Sequence, residues 1–410
     1  MIEGSDNLPH MDYDIDRIRS HFPSLNTGLA FFDGPGGSQV PDVVGDAIAA
    51  AITKPISNRN TFTESEKNAD AIVVEFRKSV GDLIDADPSG IVYGRSWTQL
   101  SYDFSRTLAK SWKPGDEIVV SRLDHDSNIR PWIQAAETAG ATVRWAEFDV
   151  ATSELTVEAV EAVLTPKTKL VAITGAGNTI GTRPDLKTIG KAVHKTSALF
   201  YVDGVHLTPH TAISMKDIGA DFFGFSFYKL MGPHCAALAA SPSLLESLHN
   251  DKLLPSANII PEKFEFGTLP YEIMAGCIAA INFISDLAPG LGLTRREKII
   301  NSMRALEKYE DGLLEYMESS IKALPGVIMY GHAKHRTPTL YFSFIGHVSA
   351  DIYKAMAIKK VNLPAHNFYA LEVSRKLGLG DDGALRAGLA PYSTREDIDR
   401  LVKGLRELVS

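Results

Sequence analysis

The sequence predicts an α/β protein, with a mostly parallel, seven-stranded sheet in a large domain and a smaller α+β domain at the C-terminal end. From Gly90 to Ala240, short apolar runs rich in β-favouring residues alternate with segments of helical period, which is typical of parallel strands joined by helices. After Pro289 this alternation stops, and at 410 residues the chain exceeds what one small core needs. We expect a large domain over residues 31–289 and a small domain formed by residues 1–30 and 290–410.

Helical patterns precede the first expected strand. Apolar residues recur at helical spacing in Asp12–His21, Pro41–Ile52 and Glu64–Ile84. The run Phe31–Ser38 contains three glycines and a proline, and it predicts a turn in which the backbone can approach a ligand. The polar run Asn58–Thr61 is expected to be exposed.

The remaining elements follow from the same patterns. The expected strands of the large sheet are Ile91–Tyr93, Glu117–Ser121, Thr142–Phe148, Leu170–Thr174, Leu199–Val202, Phe222–Phe225 and Ala236–Ala240. The helices expected alongside them are Thr98–Trp112, Ile129–Ala139, Thr156–Val163, Pro184–Lys195 and Tyr271–Leu287. In the small domain we expect helices Arg295–Ala323, Ala350–Ile358, Phe368–Leu377 and Thr394–Leu408, with strands Val327–Tyr330, Thr339–Phe344 and Ala384–Leu389.

Composition excludes several classes of protein. The net charge of −8 predicts no broad basic surface, which argues against nucleic acid as a partner. The two cysteines, Cys235 and Cys277, allow neither a disulfide framework nor a CxxC zinc pattern. The first twenty residues lack the apolar core of a signal peptide, and no apolar run approaches the length of a membrane span. We therefore expect a cytoplasmic enzyme.

An acid and a lysine follow two neighbouring strands of the expected sheet. The run Leu199–Val202 ends on Asp203, and the run Phe222–Phe225 is followed by Lys229, 26 residues after Asp203. Ligands of open α/β sheets bind beyond the carboxyl ends of the strands, so these two side chains could share one site. An acid opposite a ring nitrogen and a lysine that forms a Schiff base are what a pyridoxal 5′-phosphate (PLP) site requires. The alternative is a capping aspartate and an ordinary lysine.

Other strand ends also carry polar side chains. Ser96 and Thr98 stand at a helix start, where free N–H groups could hold a phosphate, or where Ser96 could simply cap the helix. Asn178 follows another strand and could donate to a ligand oxygen. Because the carboxyl ends of parallel strands lie at one edge, their joint position favours a site there.

Three histidines follow these strands and leave a metal site open. His125 could stack on an aromatic cofactor, bind a metal or cap a turn, while His206 and His210 follow Asp203 at positions i+3 and i+7. A zinc site needs at least a third protein ligand, and the pattern of His206 and His210 places none. A metal-dependent hydrolase that uses the three histidines competes with the PLP interpretation only if PLP is absent, and we expect no metal.

Ordered motifs along nearly the whole chain resemble the class-V aminotransferase family, and most closely its cysteine desulfurase and selenocysteine lyase branch. The motifs are Phe32-Asp33-Gly34-Pro35, Arg95-Ser96-Trp97-Thr98-Gln99, Asp124-His125-Asp126-Ser127-Asn128-Ile129, Asn178-Thr179-Ile180-Gly181-Thr182, Asp203-Gly204-Val205-His206, Ser226-Phe227-Tyr228-Lys229-Leu230-Met231-Gly232-Pro233, Phe264-Glu265-Phe266-Gly267-Thr268, Arg386-Ala387-Gly388-Leu389 and Tyr392-Ser393-Thr394. The resemblance implies the PLP-transferase fold of type I, with PLP as the cofactor.

The resemblance also implies a role for each matching residue. Lys229 would carry the cofactor and move protons at the substrate's carbon atoms, Asp203 would pair with the ring nitrogen, and His125 would stack on the ring. Asn178 and His206 would contact the ring hydroxyl. Thr98, Ser226 and neighbouring backbone N–H groups would hold the phosphate, and Tyr228 stands where the family often has a phosphate-binding histidine. Ser96 and Trp97 are further candidates for contact with the cofactor.

The substrate and a second subunit complete the implied site. Arg386 would clamp the substrate α-carboxylate with two parallel hydrogen bonds. Asn60, His366 and Asn367 are the further candidates for contact with the amino-acid substrate. Thr268 would reach the phosphate bound by a partner subunit, which implies a homodimer with shared sites.

The sequence departs from the family where a desulfurase carries its nucleophilic cysteine. The corresponding loop contains His366, Asn367 and Tyr369, and both Cys235 and Cys277 lie in apolar segments typical of packing residues. Because histidine and tyrosine cannot take up sulfur as a persulfide, we do not expect a sulfur-donating desulfurase. The resemblance to the cysteine desulfurase and selenocysteine lyase branch instead implies a C–S or C–Se lyase that eliminates the β-substituent without a persulfide cysteine. An aminotransferase, an amino-acid epimerase, for which His366 or Tyr369 could supply a second base, and a non-catalytic PLP-fold binding protein are the alternatives.

Overall fold

A computed structural model describes residues 13–409. The strands are β1 (Ala30–Phe31), β2 (Ile91–Gly94), β3 (Glu117–Ser121), β4 (Thr142–Ala146), β5 (Thr168–Thr174), β6 (Leu199–Asp203), β7 (Phe222–Ser226), β8 (Ala236–Ala240), β9 (Val327–Tyr330), β10 (Thr339–Phe344), β11 (Val361–Asn362), β12 (Ala365–His366) and β13 (Ala384–Gly388). The helices are α1 (Ile15–Ser20), α2 (Asp42–Ile52), α3 (Glu64–Ile84), α4 (Trp97–Ala109), α5 (Arg130–Ala139), α6 (Val157–Glu161), α7 (Leu186–Val193), α8 (Met215–Ile218), α9 (Pro242–Ser247), α10 (Tyr271–Ser285), α11 (Arg295–Lys322), α12 (Ser349–Ile358), α13 (Leu371–Lys376) and α14 (Arg395–Val409).

The large sheet has seven strands in the order β2-β8-β7-β6-β5-β3-β4. The pairs β4/β3, β3/β5, β5/β6 and β6/β7 are parallel, whereas β8 is antiparallel to both of its neighbours. Six strands therefore point one way, and the expectation of a mostly parallel seven-stranded sheet is confirmed. Since β5, β6 and β7 are adjacent and parallel, their carboxyl ends lie side by side.

Helices cover both faces of this sheet, which explains why its strands are continuous apolar runs. Every residue of β3, β7 and β8 is buried. Gly224 in β7 admits a tryptophan, because a methyl group there would lie 1.9 Å from Cζ3 of Trp97. The close approach of Trp97 places its indole at the floor of the candidate site described below.

A second, antiparallel sheet of four strands has the order β12-β13-β10-β9. Helix α12 contacts β12, β13 and α14, and α11 contacts both α14 and β9. The short strand β1 pairs in parallel with β11, so the start of the chain joins the C-terminal part. The domain limits of 31–289 and of 1–30 with 290–410 stay a prediction.

Most predicted elements end within a few residues of the observed ones, and the differences have local causes. The helix predicted over Phe368–Leu377 begins at Leu371 in the structure. Phe368 and Tyr369 have φ angles of 53° and 59°, which exclude them from a right-handed helix. The short helices α8 and α9 were not expected. The start of the predicted helix Asp12–His21 lies outside the described residues, which show α1. Within residues 13–409, none of the helices combines the length and the apolar character that a membrane crossing needs.

Candidate active site

A small cavity lies at the carboxyl edge of the large sheet. It contains every predicted cofactor-binding residue except Thr268. Its lining residues are Ser96, Trp97, Thr98, His125, Ser127, Thr174, Ala176, Asn178, Asp203, Val205, His206, Ser226, Tyr228 and Lys229. These side chains come from strand ends that are distant in sequence, so the parallel sheet is what assembles them.

Asp203 ends β6 inside the cavity and is almost fully buried. Its Oδ2 accepts a hydrogen bond of 2.7 Å from the indole Nε1 of Trp97, and its Oδ1 accepts one of 2.9 Å from the backbone N–H of Val205. Burial raises the pKa of Asp203 to about 6, while these two bonds and the charge of Lys229 act against that rise. The carboxylate is therefore held in one orientation and has lone pairs left for a cationic N–H.

Lys229 reaches the same cavity through a single 3-10 turn, Phe227–Lys229, which follows β7 directly. Because β7 lies beside β6, this turn returns the lysine to the strand end that carries Asp203. Burial lowers the pKa of Lys229 to about 8, helped by the charge of Arg386 and opposed by Asp203. About a tenth of the amine is then neutral at pH 7, far more than for an ordinary lysine, and a neutral amine is the nucleophilic and basic form.

His125 lies beside Lys229 and is neutral. Its Nδ1 accepts a hydrogen bond of 3.1 Å from the backbone N–H of Ser127, so the ring's proton is on Nε2. Burial, with the charges of Lys229 and Arg386, lowers the pKa of His125 to about 3. A neutral imidazole suits stacking on an aromatic ring, and it is a weak proton donor. The ring of Tyr369 lies 5.6 Å from the ring of His125 on the outer side.

The start of α4 faces the cavity and is suited to an anion. Ser96 is the N-cap, and its hydroxyl accepts from the backbone N–H of Gln99 at 3.1 Å, so its side chain is already engaged. Thr98 in the first turn, Ser226 at the end of β7 and Tyr228 also line the cavity. A helix N-terminus with neighbouring hydroxyl groups favours a phosphate.

His206 and His210 form hydrogen bonds that do not resemble metal ligation. The Nε2 of His206 lies 3.0 Å from the hydroxyl of Thr337 and 3.1 Å from that of Thr339, and His210 contacts Glu310 at 2.9 Å. Across residues 13–409 no three or more His, Cys, Asp or Glu side chains gather as metal ligands would. With Nε2 shared by the two threonines, Nδ1 is the nitrogen of His206 that is left for a ring hydroxyl.

A wider outer cavity opens from the first one and is shared with the C-terminal part of the chain. Its lining residues are Pro35, Gly36, Thr98, Tyr102, His125, Asp126, Ser127, Arg130, Pro131, Gln134, Asn178, Tyr228, Lys229, His366, Asn367, Phe368, Tyr369, Leu371 and Arg386. It therefore joins three of the predicted substrate residues, His366, Asn367 and Arg386, to the predicted catalytic lysine.

Arg386 in β13 is a buried cation with free hydrogen-bonding capacity. Its Nη1 donates to the backbone oxygen of Asn178 at 3.0 Å, and the ring of Phe368 lies 3.7 Å from its Cζ. Its Nε is buried and has no hydrogen-bond partner within residues 13–409. Burial lowers the pKa of Arg386 to about 9, opposed by Tyr341, Asp33 and Tyr228. A buried guanidinium of this kind suits a carboxylate ligand.

The loop that supplies Phe368 and Tyr369 is strained and firmly held. Two consecutive bulky residues with positive φ cost about 1–3 kcal/mol each. The Phe368 oxygen accepts from Asn178 Nδ2 at 2.9 Å, and the Tyr369 oxygen accepts from the backbone N–H of Asp126 at 2.7 Å. Asn367 Oδ1 accepts from the Tyr369 N–H at 2.9 Å. These bonds fix the two aromatic rings against Arg386 and His125.

Two predicted residues lie outside both cavities. Asn60 is exposed, and its Oδ1 accepts from the backbone N–H of Thr61 at 2.9 Å. Thr268 is exposed as well and follows Gly267, whose φ is 91°. Their roles toward substrate and toward a partner's phosphate stay predictions.

Sequence reasoning missed Phe368 and Asp33 at the site. Phe368 covers one face of the Arg386 guanidinium, and the half-buried Asp33 accepts from Asn362 Nδ2 at 3.2 Å and interacts electrostatically with Arg386. The motif around Asp33 was visible in the sequence, but its distance to Arg386, more than 350 positions later, was not.

The residues of the inner cavity fit PLP. Asn178 Oδ1 is a buried acceptor with no partner in the described part of the chain, and it suits a ring hydroxyl. Asp203 suits the ring nitrogen, the start of α4 suits the phosphate, and Lys229 presents an amine to an aldehyde. Bound here, PLP would supply an electron sink for a carbanion at the substrate's α-carbon.

Comparison with known proteins agrees with this fit. The profile of the aminotransferase class-V family matches residues 30–401. The chain is 31% identical over 407 residues to the aminotransferase-like protein FGM3 of Gibberella zeae, covering 96% of this chain and 98% of that protein. It is 29% identical over 414 residues to a probable cysteine desulfurase of Mycolicibacterium paratuberculosis, covering 97% of this chain and 59% of that protein. The crystal structure of the cysteine desulfurase CsdA from Escherichia coli has a TM-score of 0.85 at 24% identity, covering 97% of this chain and 100% of that one.

The chain belongs to the class-V aminotransferase family. Members of this family are enzymes that depend on PLP and act on small amino-acid substrates, so the expected cofactor and enzyme class are confirmed. The structural likeness to CsdA confirms the type I fold. Within the family, the chain is similar to the cysteine desulfurases.

Proposed function

We propose that this enzyme is a C–S or C–Se lyase that eliminates a sulfur or selenium substituent from the β-carbon of an amino acid without a persulfide cysteine. One observation carries the proposal. Cys235 and Cys277 are both fully buried in the hydrophobic core, with their sulfur atoms 3.2 Å apart, and neither lines the two cavities. Burial, together with the neighbouring Cys235, raises the pKa of Cys277 far above its usual value, which makes it a poor nucleophile.

The cavity residues can carry out elimination. Arg386 holds the α-carboxylate, and the neutral Lys229 amine takes the proton from the α-carbon. The Cβ–S bond then breaks with its electron pair moving to sulfur, the carbon–carbon double bond forms, and the resulting 2-aminoacrylate is hydrolysed to pyruvate and ammonia.

His366 is the residue we assign to protonate the leaving sulfur. His125 is a poor donor, because its pKa of about 3 keeps it neutral. His366 lies at the exposed mouth of the outer cavity, with its Nδ1 3.1 Å from Asn367 Oδ1. That contact positions the ring on the loop where a desulfurase has its cysteine.

The double variant Cys235→Ala/Cys277→Ala is expected to retain sulfide release from cysteine within about threefold of wild type, since neither thiol reaches the substrate. A small decrease would follow from the lost packing of two buried side chains. Sulfide release is measured alongside the folded fraction by circular dichroism. A folded double variant that has lost sulfide release would show that one of these cysteines does participate, and the lyase proposal without a persulfide would be wrong.

Transamination is the second candidate. A relative that is 31% identical to this chain over nearly its whole length is named an aminotransferase-like protein, and transamination needs little beyond Lys229. The two reactions differ in their products. Elimination releases sulfide and pyruvate, whereas transamination converts the intact substrate to its keto acid in exchange for a second keto acid. Product analysis with an amino-acid panel separates them, and the same panel reveals an epimerase by exchange between D and L forms.

We also propose that the enzyme is a homodimer in which Thr268 contributes to the partner's phosphate site. Thr268 is exposed, and large apolar side chains near it in sequence are exposed too, including Leu254 at 97%, Ile259 at 64% and Phe266 at 53%. Large apolar side chains left exposed on one subunit favour contact with another. Asn60 lies in a loop next to the exposed Phe62 and would face the same partner. Sedimentation equilibrium of the purified protein tests the dimer.

A further inference from the structure

We propose that Trp97 is a positioning residue whose indole N–H keeps the Asp203 carboxylate ionised and aimed at the ring nitrogen of PLP. The family resemblance implied a different role, in which the segment around Trp97 holds the phosphate. The structure instead shows its Nε1 donating to Asp203 Oδ2 at 2.7 Å. This inference concerns the cofactor site and holds whichever reaction the enzyme catalyses.

The protein core is shaped to hold this indole in place. Trp97 is 3% exposed, and its ring packs 5.4 Å from that of Tyr201. Gly224 in β7 leaves the space for it, because any side chain there would collide with the ring. An indole N–H is a donor only, so its preferred partner is an acceptor that carries negative charge. The geometry thus favours a carboxylate over a carboxylic acid at Asp203.

The other groups around Asp203 do not provide the same support. Lys229 favours the ionised carboxylate, but it is itself the residue that reacts with the cofactor. The remaining titratable groups that interact with Asp203 are Asp124, Tyr201 and Tyr228, and each would oppose its negative charge if ionised. The Val205 N–H donates to the other carboxylate oxygen, so Trp97 is the side chain that fixes Oδ2.

The test uses Trp97→Phe, which removes the N–H and keeps an aromatic ring. Trp132→Phe is the matched control. Trp132 is also fully buried and packs 4.6 Å from Tyr201, but its indole N–H donates to Asn128 Oδ1 at 3.1 Å. The readout is the dissociation constant of PLP across a pH series, measured by the cofactor's visible absorption.

Trp97→Phe is expected to weaken PLP binding about tenfold near neutral pH. The affinity for PLP should also fall, as the pH is lowered, at a pH about one unit higher than in wild type, because a carboxylate that has lost a hydrogen-bond donor is protonated more readily. Trp132→Phe is expected to keep the wild-type pH profile. The titration of the phosphate of PLP is common to both variants and cancels in the comparison. A Trp97→Phe profile that matches Trp132→Phe would overturn the proposal.

A double-mutant cycle with Asp203→Asn separates this role from simple packing. If Trp97 acts through the carboxylate, Trp97→Phe changes PLP affinity much less in the Asp203→Asn background than in wild type. Equal losses in both backgrounds would mean that only packing is lost, and the proposal would be wrong. Should Trp97→Phe fail to fold, site-specific incorporation of 3-benzothienylalanine replaces the N–H with sulfur in a ring of the same shape, and the same two outcomes apply.

Discussion

Lys229→Ala is expected to abolish covalent attachment of PLP and to reduce turnover of any amino-acid substrate by more than about 10³-fold, because the same amine captures the cofactor and moves the α-proton. In wild type, borohydride should bleach the visible band and leave the cofactor fixed to the chain. Mass spectrometry should locate the added mass on the peptide that contains Lys229. The variant should show neither effect.

Lys263→Ala is a matched control for the loss of a buried lysine. Lys229 and Lys263 are both 8% exposed, but the Lys263 ammonium donates to the backbone oxygens of Glu246 and Leu248 at 3.2 and 2.9 Å, away from the cavity. The folded fraction of Lys263→Ala should keep the visible band and the borohydride label. If Lys229→Ala still carried a borohydride-stable label, another amine would hold the cofactor, and the assignment of the catalytic lysine would be wrong.

Arg386→Leu is expected to lower kcat/KM by about 10²–10³-fold, mostly through KM, because it removes a charged two-point contact with the substrate carboxylate. The affinity for PLP should change far less, since Arg386 lines the outer cavity and is absent from the inner one. Arg386→Lys keeps the positive charge but lacks the planar guanidinium group that can form two parallel hydrogen bonds. Its loss of kcat/KM should therefore be intermediate.

We expect Arg386→Leu and Arg386→Lys to differ also in their effect on the pKa of Lys229. The charge of Arg386 is the second cause, after burial, that lowers the pKa of Lys229 to about 8. Removing that charge raises the pKa, so the pH at which Lys229 becomes reactive toward an amine reagent should move upward in Arg386→Leu. It should stay near 8 in Arg386→Lys. An unchanged midpoint in the leucine variant would show that the two groups do not interact across the cavity.

The centre of the site could be predicted because it depends on strand order alone. Asp203 and Lys229 each end an apolar run, and adjacent parallel strands bring their carboxyl ends together whatever the details of the loops. The same reasoning about strand ends pointed to four more residues, Ser96, Thr98, His125 and Asn178. The structure places all of them in one cavity. Strand patterns therefore predicted the sheet and the meeting of these side chains at one edge of it, whereas their roles toward a cofactor stay predictions.

The loop from His366 to Tyr369 could not be predicted in the same way. A helical pattern suggested that Phe368 begins a helix, but positive φ angles at Phe368 and Tyr369 keep both residues outside it. Bonds from Asn178 and Asp126, both distant in sequence, stabilise that conformation. The contact between Phe368 and Arg386 depends on this loop conformation. Local helix propensity does not predict it, because residues distant in sequence stabilise it.

Asn60 and Thr268 show a second limit. Both are exposed in a single chain, so neither the sequence pattern nor the fold of one subunit tests their proposed roles. Residues that serve a partner's site have no local signature, because the atoms they contact belong to another molecule.

The most direct test of the lyase proposal is a balance of products from the purified holoenzyme with cysteine and with selenocysteine. Elimination predicts sulfide or selenide together with equimolar pyruvate and ammonia, and little alanine. Alanine formed in place of pyruvate would indicate desulfuration, in which sulfur or selenium is removed and the three-carbon amino acid is kept. That result, or the formation of only the keto acid or the opposite enantiomer of the intact substrate, would contradict the account.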